Sequence, residues 1–181
     1  MAVIRVPAIR KELTSEQEVR NFLSARKIEY QIWDLKRVSP ELVNQELFSD
    51  SDKETVLHAY DPELQDLQKN HGYIKVDVIA LSSKIPGIEE KLDVFRKEHL
   101  HTEDEVRFIL DGRGIFFIHP ENESIFEIEV HAGDFISVPA YTWHWFDLCQ
   151  DRRIKAIRLF QKEDGWVPVY REPSLTQSTQ S

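Results

Sequence analysis

The stretch EHLHTEDE, Glu98 to Glu105, places two histidines and four carboxylates within eight residues. His99 and His101 are two positions apart, so on an extended strand their imidazoles leave the same face. Glu105 follows after a polar turn and can add a carboxylate oxygen. A second histidine segment, GDFISVPAYTWHWF, runs from Gly133 to Phe146. Gly133 and Pro139 frame a short strand and turn in it, after which His144 enters the next strand. Two adjacent strand ends could then present His99, His101, Glu105 and His144 to one cavity.

Three imidazoles and one carboxylate suit a divalent first-row metal better than calcium or magnesium, which prefer all-oxygen cages. In an octahedral ion, such a set leaves two positions for a chelating substrate. An HxH pair alone is weak evidence, because isolated histidines more often serve surfaces and cores. The glutamate, the glycine at 112 and the matched second segment make the metal reading the better one. His58, His71, His119 and His131 have no such partners in the pattern and read as surface, turn or packing residues. Arg107, two residues beyond Glu105, should share its face if the segment is extended. Its guanidinium can pair with an oxyanion or brace a carboxylate.

These residues need a scaffold of strands. The first 70 residues read as helices with one strand among them. Thr14 with Gln17 matches a capping box, and Val19, Phe22 and Leu23 give an apolar face to a helix ending near Lys27. Ile28 to Trp33 alternates as a strand. Ser39-Pro40 opens a short helix, Asp50 to His58 forms another, and Asp61-Pro62 caps a third. From Tyr73 the pattern changes. YIKVDVIAL is strand-like, and VRFILD, GIFFIHP, IFEIEV, DFISVP, TWHWFDL and RIKAIRLFQ follow between turn signals at Pro86-Gly87, Asp111-Gly112, His119-Pro120 and Ala132-Gly133-Asp134. Short strands with regular turns argue for an all-β barrel or double-sheet jelly roll, with the helices packed outside.

The bulk properties narrow the classes. The chain has 181 residues, 41% hydrophobic and 30% charged, which suits one soluble globular core. Residues 1–171 are expected to form a single domain and 172–181 a flexible tail, since SLTQSTQS has little to bury. Cys149 is alone, which excludes an internal disulfide and makes a thiolate metal site untenable. A formal charge of -9 disfavours nonspecific attraction to nucleic acid or anionic lipid. No apolar run reaches the roughly 18 to 20 residues that span a bilayer, and MAVIRVPAIRKEL lacks a signal-like apolar region. A cytoplasmic monomer is the expectation.

The two histidine segments resemble the cupin motifs, in which HxH is followed by Glu and Gly, and a later Gly-x5-Pro precedes the fourth ligand. The sequence departs from them at Asp93, Tyr141 and Leu148, where the cupin pattern has glycine, glycine and asparagine. None of these is a proposed ligand. GYIKVDVIAL, FRKEHLHTEDEVRFILDGRGIFFI and GDFISVPAYTWHWFDL are similar, more narrowly, to segments of the acireductone dioxygenase family. The resemblance runs to about Arg171. It implies an all-β cupin barrel, a double-stranded jelly roll, with additional N-terminal α-helices packed on it.

The resemblance also implies metal ligands at His99, His101, Glu105 and His144, and an acireductone cleaved with dioxygen in methionine salvage. With Fe2+ the implied products are formate and 4-methylthio-2-oxobutanoate; with Ni2+ they are carbon monoxide, formate and 3-methylthiopropionate. Catalytic candidates are Arg107, Arg158 and Glu98, the last as a proton acceptor or a carboxylate bracing a ligand. Phe95, Phe108 and Phe146 are candidates for an apolar wall around the methylthio tail, against the alternative of core packing. Trp143 and Trp145 flank His144 and should pack the ligand strand. Glu103 and Asp104 read as solvent-facing or turn-forming, although Asp104 could orient a neighbouring ligand. A different cupin enzyme, such as a sugar-phosphate isomerase, and a noncatalytic ligand-binding cupin remain open alternatives.

Overall fold

A computed structural model describes residues 1–172. The tail expected to be flexible lies, from residue 173 on, outside the described residues. Strand β1 (Val3–Val6) and strand β2 (Lys11–Leu13) form an antiparallel pair at the start of the chain. Neither was expected there. VIRV is too short to signal a strand alone; it becomes one by pairing antiparallel with Glu127, Ile128 and Glu129, far along the chain.

Helix α1 (Glu16–Ser24) follows, then β3 (Glu29–Ile32). The cap of α1 is Ser15, whose hydroxyl accepts the Glu18 amide, one position later than the expected Thr14–Gln17 pairing. Helices α2 (Pro40–Val43) and α3 (Asp50–Ala59) begin where the sequence places them; α4 (Asp61–His71) has Pro62 in its first turn as expected, but its cap is Tyr60, without a side-chain bond, and not Asp61. For α3 the reason is a full capping box between Ser49 and Asp52. Strand β4 (Lys75–Leu81) is followed by α5 (Ile88–Arg96), a helix that the turn signal at Pro86-Gly87 concealed. Ile88, Leu92 and Phe95 stand at helical spacing and carried the available signal.

The remaining strands are β5 (His99–Leu100), β6 (Glu105–Ile118), β7 (Phe126–His131), β8 (Asp134–Val138), β9 (His144–Leu148), β10 (Ile154–Phe160) and β11 (Val169–Tyr170). The long strand β6 organises them. Its first half pairs with β8 and β10, and its second half with β7 and β9. Asp111-Gly112, expected to be a turn, is instead a bend within this strand. The register against β10 shifts between Lys155 and Ala156, where Leu110 has no partner. Gly112 has φ 74, and a Cβ there would sit 2.1 Å from the Arg153 carbonyl oxygen. Glycine is required by that close approach.

The bulge reverses parity along β6. Before it, Ile109 enters the core cluster shared with α1 and α5, while Val106, Phe108 and Leu110 enter the cluster under α2, α3 and α4. After it, Phe116 and Ile118 are in the first cluster. Helices α2, α3 and α4 thus cover one face of a multi-stranded sheet assembly, while α1 packs with α5 on the other cluster. Helices packed on a multi-stranded β assembly are the arrangement the sequence led one to expect; counted together, the elements make the chain mixed α and β. Each fully buried phenylalanine in these clusters stabilises the fold by about 1.5–3 kcal/mol.

Candidate metal centre

His99 on β5 stands directly opposite His144 on β9, and His144 also stands opposite Ile118 at the end of β6. Glu105 begins β6 and pairs with Val138. His101 lies just beyond β5. All four side chains are buried, and one donor atom from each lies within 4.8 Å of the others. The alternation of His99 and His101, and the adjacency of β5, β9 and β6, bring together the four residues singled out in the sequence.

Each imidazole is oriented through its far nitrogen. His99 Nδ1 donates to the Lys97 carbonyl at 2.6 Å, His101 Nδ1 to the Val167 carbonyl at 3.1 Å, and His144 Nδ1 to the Thr142 carbonyl at 2.8 Å. A carbonyl can only accept, so a proton belongs on Nδ1, and in the neutral imidazole Nε2 is the atom that carries the lone pair. Glu105 Oε2 lies 2.9 Å from His144 Nε2 and 3.1 Å from His101 Nε2. The second approach lacks hydrogen-bond geometry, and His101 Nε2 is a buried nitrogen without a partner. Lone pairs and a carboxylate oxygen facing one point are what a cation requires. The backbone-anchored Nδ1 atoms are the usual support for histidine ligands. The donor set fits a divalent transition metal.

Burial pushes His99 down to about 4, against the pull of its Lys97 bond. Burial opposes the charged form of His101 too, but the neighbouring Glu105 carboxylate more than offsets it and the group is raised. Burial alone would raise Glu105; Arg107, with His101 and His144, reverses this and holds it well below the usual carboxylate range.

Arg107 leads from this group to a cavity. Its guanidinium is 2 % exposed and rests 4.6 Å from the Phe146 ring centroid and 5.0 Å from that of Trp166. The cavity measures about 180 Å³ and is lined by Ile79, Leu92, Phe95, Arg107, Phe146 and Arg158. This is below the roughly 300 Å³ of a typical ligand pocket, so it suits an aliphatic tail and not a whole ligand. Arg158 stands opposite Arg107 in register and is held by both oxygens of Asp77, at 2.8 and 2.6 Å. A larger groove of about 590 Å³, bounded by Arg26, His119 and Trp143, contains none of the four ligand candidates.

The model of the ARD/ARD' family matches residues 11–168. The chain belongs to this family. An acireductone dioxygenase of Exiguobacterium sibiricum is 40% identical over 175 residues, covering 97% of this chain and 98% of its own. One of Bacillus velezensis is 40% identical over 176 residues, covering 97% and 99%. Among solved structures, the acireductone dioxygenase from Bacillus anthracis, described with a cadmium ion in its active centre, is 39% identical. It superposes with a TM-score of 0.90 over 94% of this chain and 98% of that one.

Within this ARD/ARD' member, two candidate residues lie elsewhere than the sequence suggested. Phe108 does not line the cavity. It is fully buried on the opposite face of β6, 4.8 Å from both Trp33 and Tyr60 by ring centroid, because its parity is opposite to that of Arg107. Glu98 turns away from the ligand group, as strand alternation dictates. Its Oε1 meets His119 and accepts from Arg171 at 2.8 Å. Glu103, expected at the surface, is 3 % exposed. Asp104 accepts the Ala140 amide at 2.9 Å and so ties the first ligand segment to the second. Trp166, stacked near Arg107, was not singled out; no local pattern brings it there.

Proposed function

We propose that this chain is an acireductone dioxygenase of methionine salvage. It would cleave 1,2-dihydroxy-3-keto-5-methylthiopentene with dioxygen to formate and 4-methylthio-2-oxobutanoate when holding Fe2+, and to carbon monoxide, formate and 3-methylthiopropionate when holding Ni2+. The observation that carries this reading is the convergence of His99, His101, Glu105 and His144 beside a cavity that ends on Arg107. Family membership and 40% identity along nearly the whole chain support the substrate class.

His99, His101, Glu105 and His144 are the proposed ligands. A divalent ion there supplies Lewis-acid stabilisation of the enediolate oxygens. The rest falls to the protein. Arg107 offers a buried guanidinium to substrate oxygen charge, with Glu105 Oε1 as its resting partner. Phe95 and Phe146 form the wall that takes the methylthio tail and keeps water from the reacting carbons. Arg158 closes the same cavity, its charge balanced by Asp77. Glu98 is assigned to holding β5 through His119 and Arg171, in place of a proton-transfer role. Residues 1–171 act as one unit, and the protein works as a cytoplasmic monomer without nucleic-acid or membrane partners. No helix among the described residues is long and apolar enough to cross a membrane.

The test is oxygen consumption with an anaerobically prepared acireductone after separate reconstitution with iron(II) and nickel(II), followed by product analysis. Stoichiometric oxygen uptake with formate release is expected in both. A folded, fully metallated protein that leaves acireductone and oxygen unchanged would refute the assignment. Isomerisation of a sugar phosphate by that same protein would replace it.

A further inference from the structure

The segment that follows β10 turns back over the ligand loop. Val167 supplies the carbonyl that orients His101, and Trp166 Nε1 donates to the Asp104 carbonyl at 3.2 Å. Beyond them β11 pairs with β5, which sets Tyr170 opposite His99. The position of this segment therefore decides the aim of one proposed ligand and the stacking of Arg107.

What fixes its beginning is Glu103, midway between His101 and Glu105. Glu103 Oε2 accepts two consecutive backbone amides, Gln161 at 2.6 Å and Lys162 at 2.9 Å. Its Oε1 is buried with no hydrogen-bond partner. No basic side chain pairs with it among the described residues; Lys162 Nζ goes to the Thr102 hydroxyl at 2.6 Å instead. A buried carboxylate without a cation is costly to keep. Its return is a charge-assisted bond to each amide, roughly twice as strong as a neutral one, at the point where β10 ends. Packing alone at this position would need only an apolar side chain.

We propose that Glu103 is a positioning residue of the metal centre: its buried carboxylate pins residues 161 and 162, and through them sets the Val167 carbonyl on His101 and Trp166 beside Arg107. The proposal rests on the metal reading of the four ligands, and its test does not need the substrate. Nickel(II) affinity and amide hydrogen exchange are measured in the full chain and in Glu103→Ala, Glu103→Asp and Glu103→Gln. Alanine removes the acceptor and aspartate withdraws it by one methylene, so in both the nickel affinity should fall about ten-fold. Exchange at the amides of Gln161, Lys162 and Val167 should rise at least as much. Glutamine leaves an oxygen at the two amides and should stay within about two-fold of the parent in both measurements.

A role confined to general stability would lower the melting temperature of the alanine chain and leave nickel affinity and local exchange unchanged at temperatures where it is folded. That result overturns the proposal. Should the alanine chain not fold, the aspartate chain decides: parental nickel affinity and protection there overturn it equally. Because neither measurement uses acireductone, a protein that binds nickel at these four residues but lacks dioxygenase activity still distinguishes a positioning role for Glu103 from a purely structural one.

Discussion

Arg107 and Glu105 stand two positions apart on one strand, both buried, and are joined through a single carboxylate oxygen. Arg107 Nε lies 2.9 Å and Nη2 2.8 Å from Glu105 Oε1. The other oxygen, Oε2, faces His101 and His144. One carboxylate thus serves the ligand group on one side and the cavity on the other. Burial lowers Arg107 from its usual value while Glu105 resists that shift, so each charge is tolerated on account of its neighbour.

Replacing Arg107 by methionine leaves Glu105 as an uncompensated buried charge in the metal-free protein. The expected destabilisation is about 3–5 kcal/mol. A bound divalent ion supplies a second positive partner, so the loss should shrink when nickel is added. Metal stoichiometry should be nearly preserved, and kcat/KM for acireductone should fall at least ten-fold. Thermal denaturation with and without nickel, alongside oxygen uptake, checks all three. Equal destabilisation in both states with full turnover would show that Arg107 only packs.

Metal affinity should depend on pH through His101. Ligation requires a neutral imidazole. His99, pushed down to about 4 by burial, is already neutral well below pH 7 and adds no proton competition there. His101 is raised above its usual value, so a proton must leave it before Nε2 can bind. Apparent nickel affinity should therefore climb by about ten-fold per pH unit while His101 is losing its proton, and level off above that range. The stability signs differ between the two. His101 contributes stability below its unfolded value that is lost as pH rises through its folded value. His99, shifted down, costs stability as pH falls from about 6.5 toward 4. His101→Ala should abolish the step in affinity along with most of the bound metal and the oxygen uptake. Isothermal titration between pH 5.5 and 8 reads the profile.

The ligand set was legible because alternation and strand adjacency are both written locally. His99 and His101 share a face by parity, and the turn residues around Gly133 and Pro139 bring His144 alongside. The helix starts at Ser39-Pro40 and at Asp50 were legible for the same reason, since a start signal spans only neighbouring residues. What was hidden depends on distant partners. The bulge at Leu110 arises from the register with β10, so nothing near Phe108 announces that parity flips beyond it. Glu103 looks like any acidic turn residue until Gln161 and Lys162 arrive from 58 and 59 positions away. Val3–Val6 is a strand because β7 is there to pair with it.

Gly114 makes room for the cavity wall. A Cβ at this position would lie 2.3 Å from Phe146 Cζ and 2.7 Å from its Cε2. Gly114→Ala must therefore move the ring, at a cost of about 1–3 kcal/mol from overpacking. Phe146 lines the cavity that Arg107 closes, so the displaced ring should also raise KM for acireductone, by about ten-fold. Phe146→Leu in the same chain shortens the obstructing side chain and should recover most of the lost stability. A double-mutant cycle on chemical denaturation detects this coupling. Additive effects would mean that the strand shifts and the ring stays.

Tyr141 occupies the position at which the cupin motif has its inner glycine, and its backbone shows why glycine suits it. The residue has φ 61, in the left-handed region, with its side chain 69% exposed. For an L-residue this conformation costs roughly 1–2 kcal/mol. The Tyr141 amide donates to the His101 carbonyl at 2.8 Å, so the strained turn links the two ligand segments through main chain alone. Tyr141→Gly keeps that bond and removes the strain, offset in part by about 0.5–1 kcal/mol of added chain entropy. The expected outcome is a net gain of about 0.5–1 kcal/mol in denaturant unfolding with nickel affinity unchanged. A loss of nickel affinity in the glycine chain would mean that the tyrosine ring, and not the turn, sets the approach of His144 to His101.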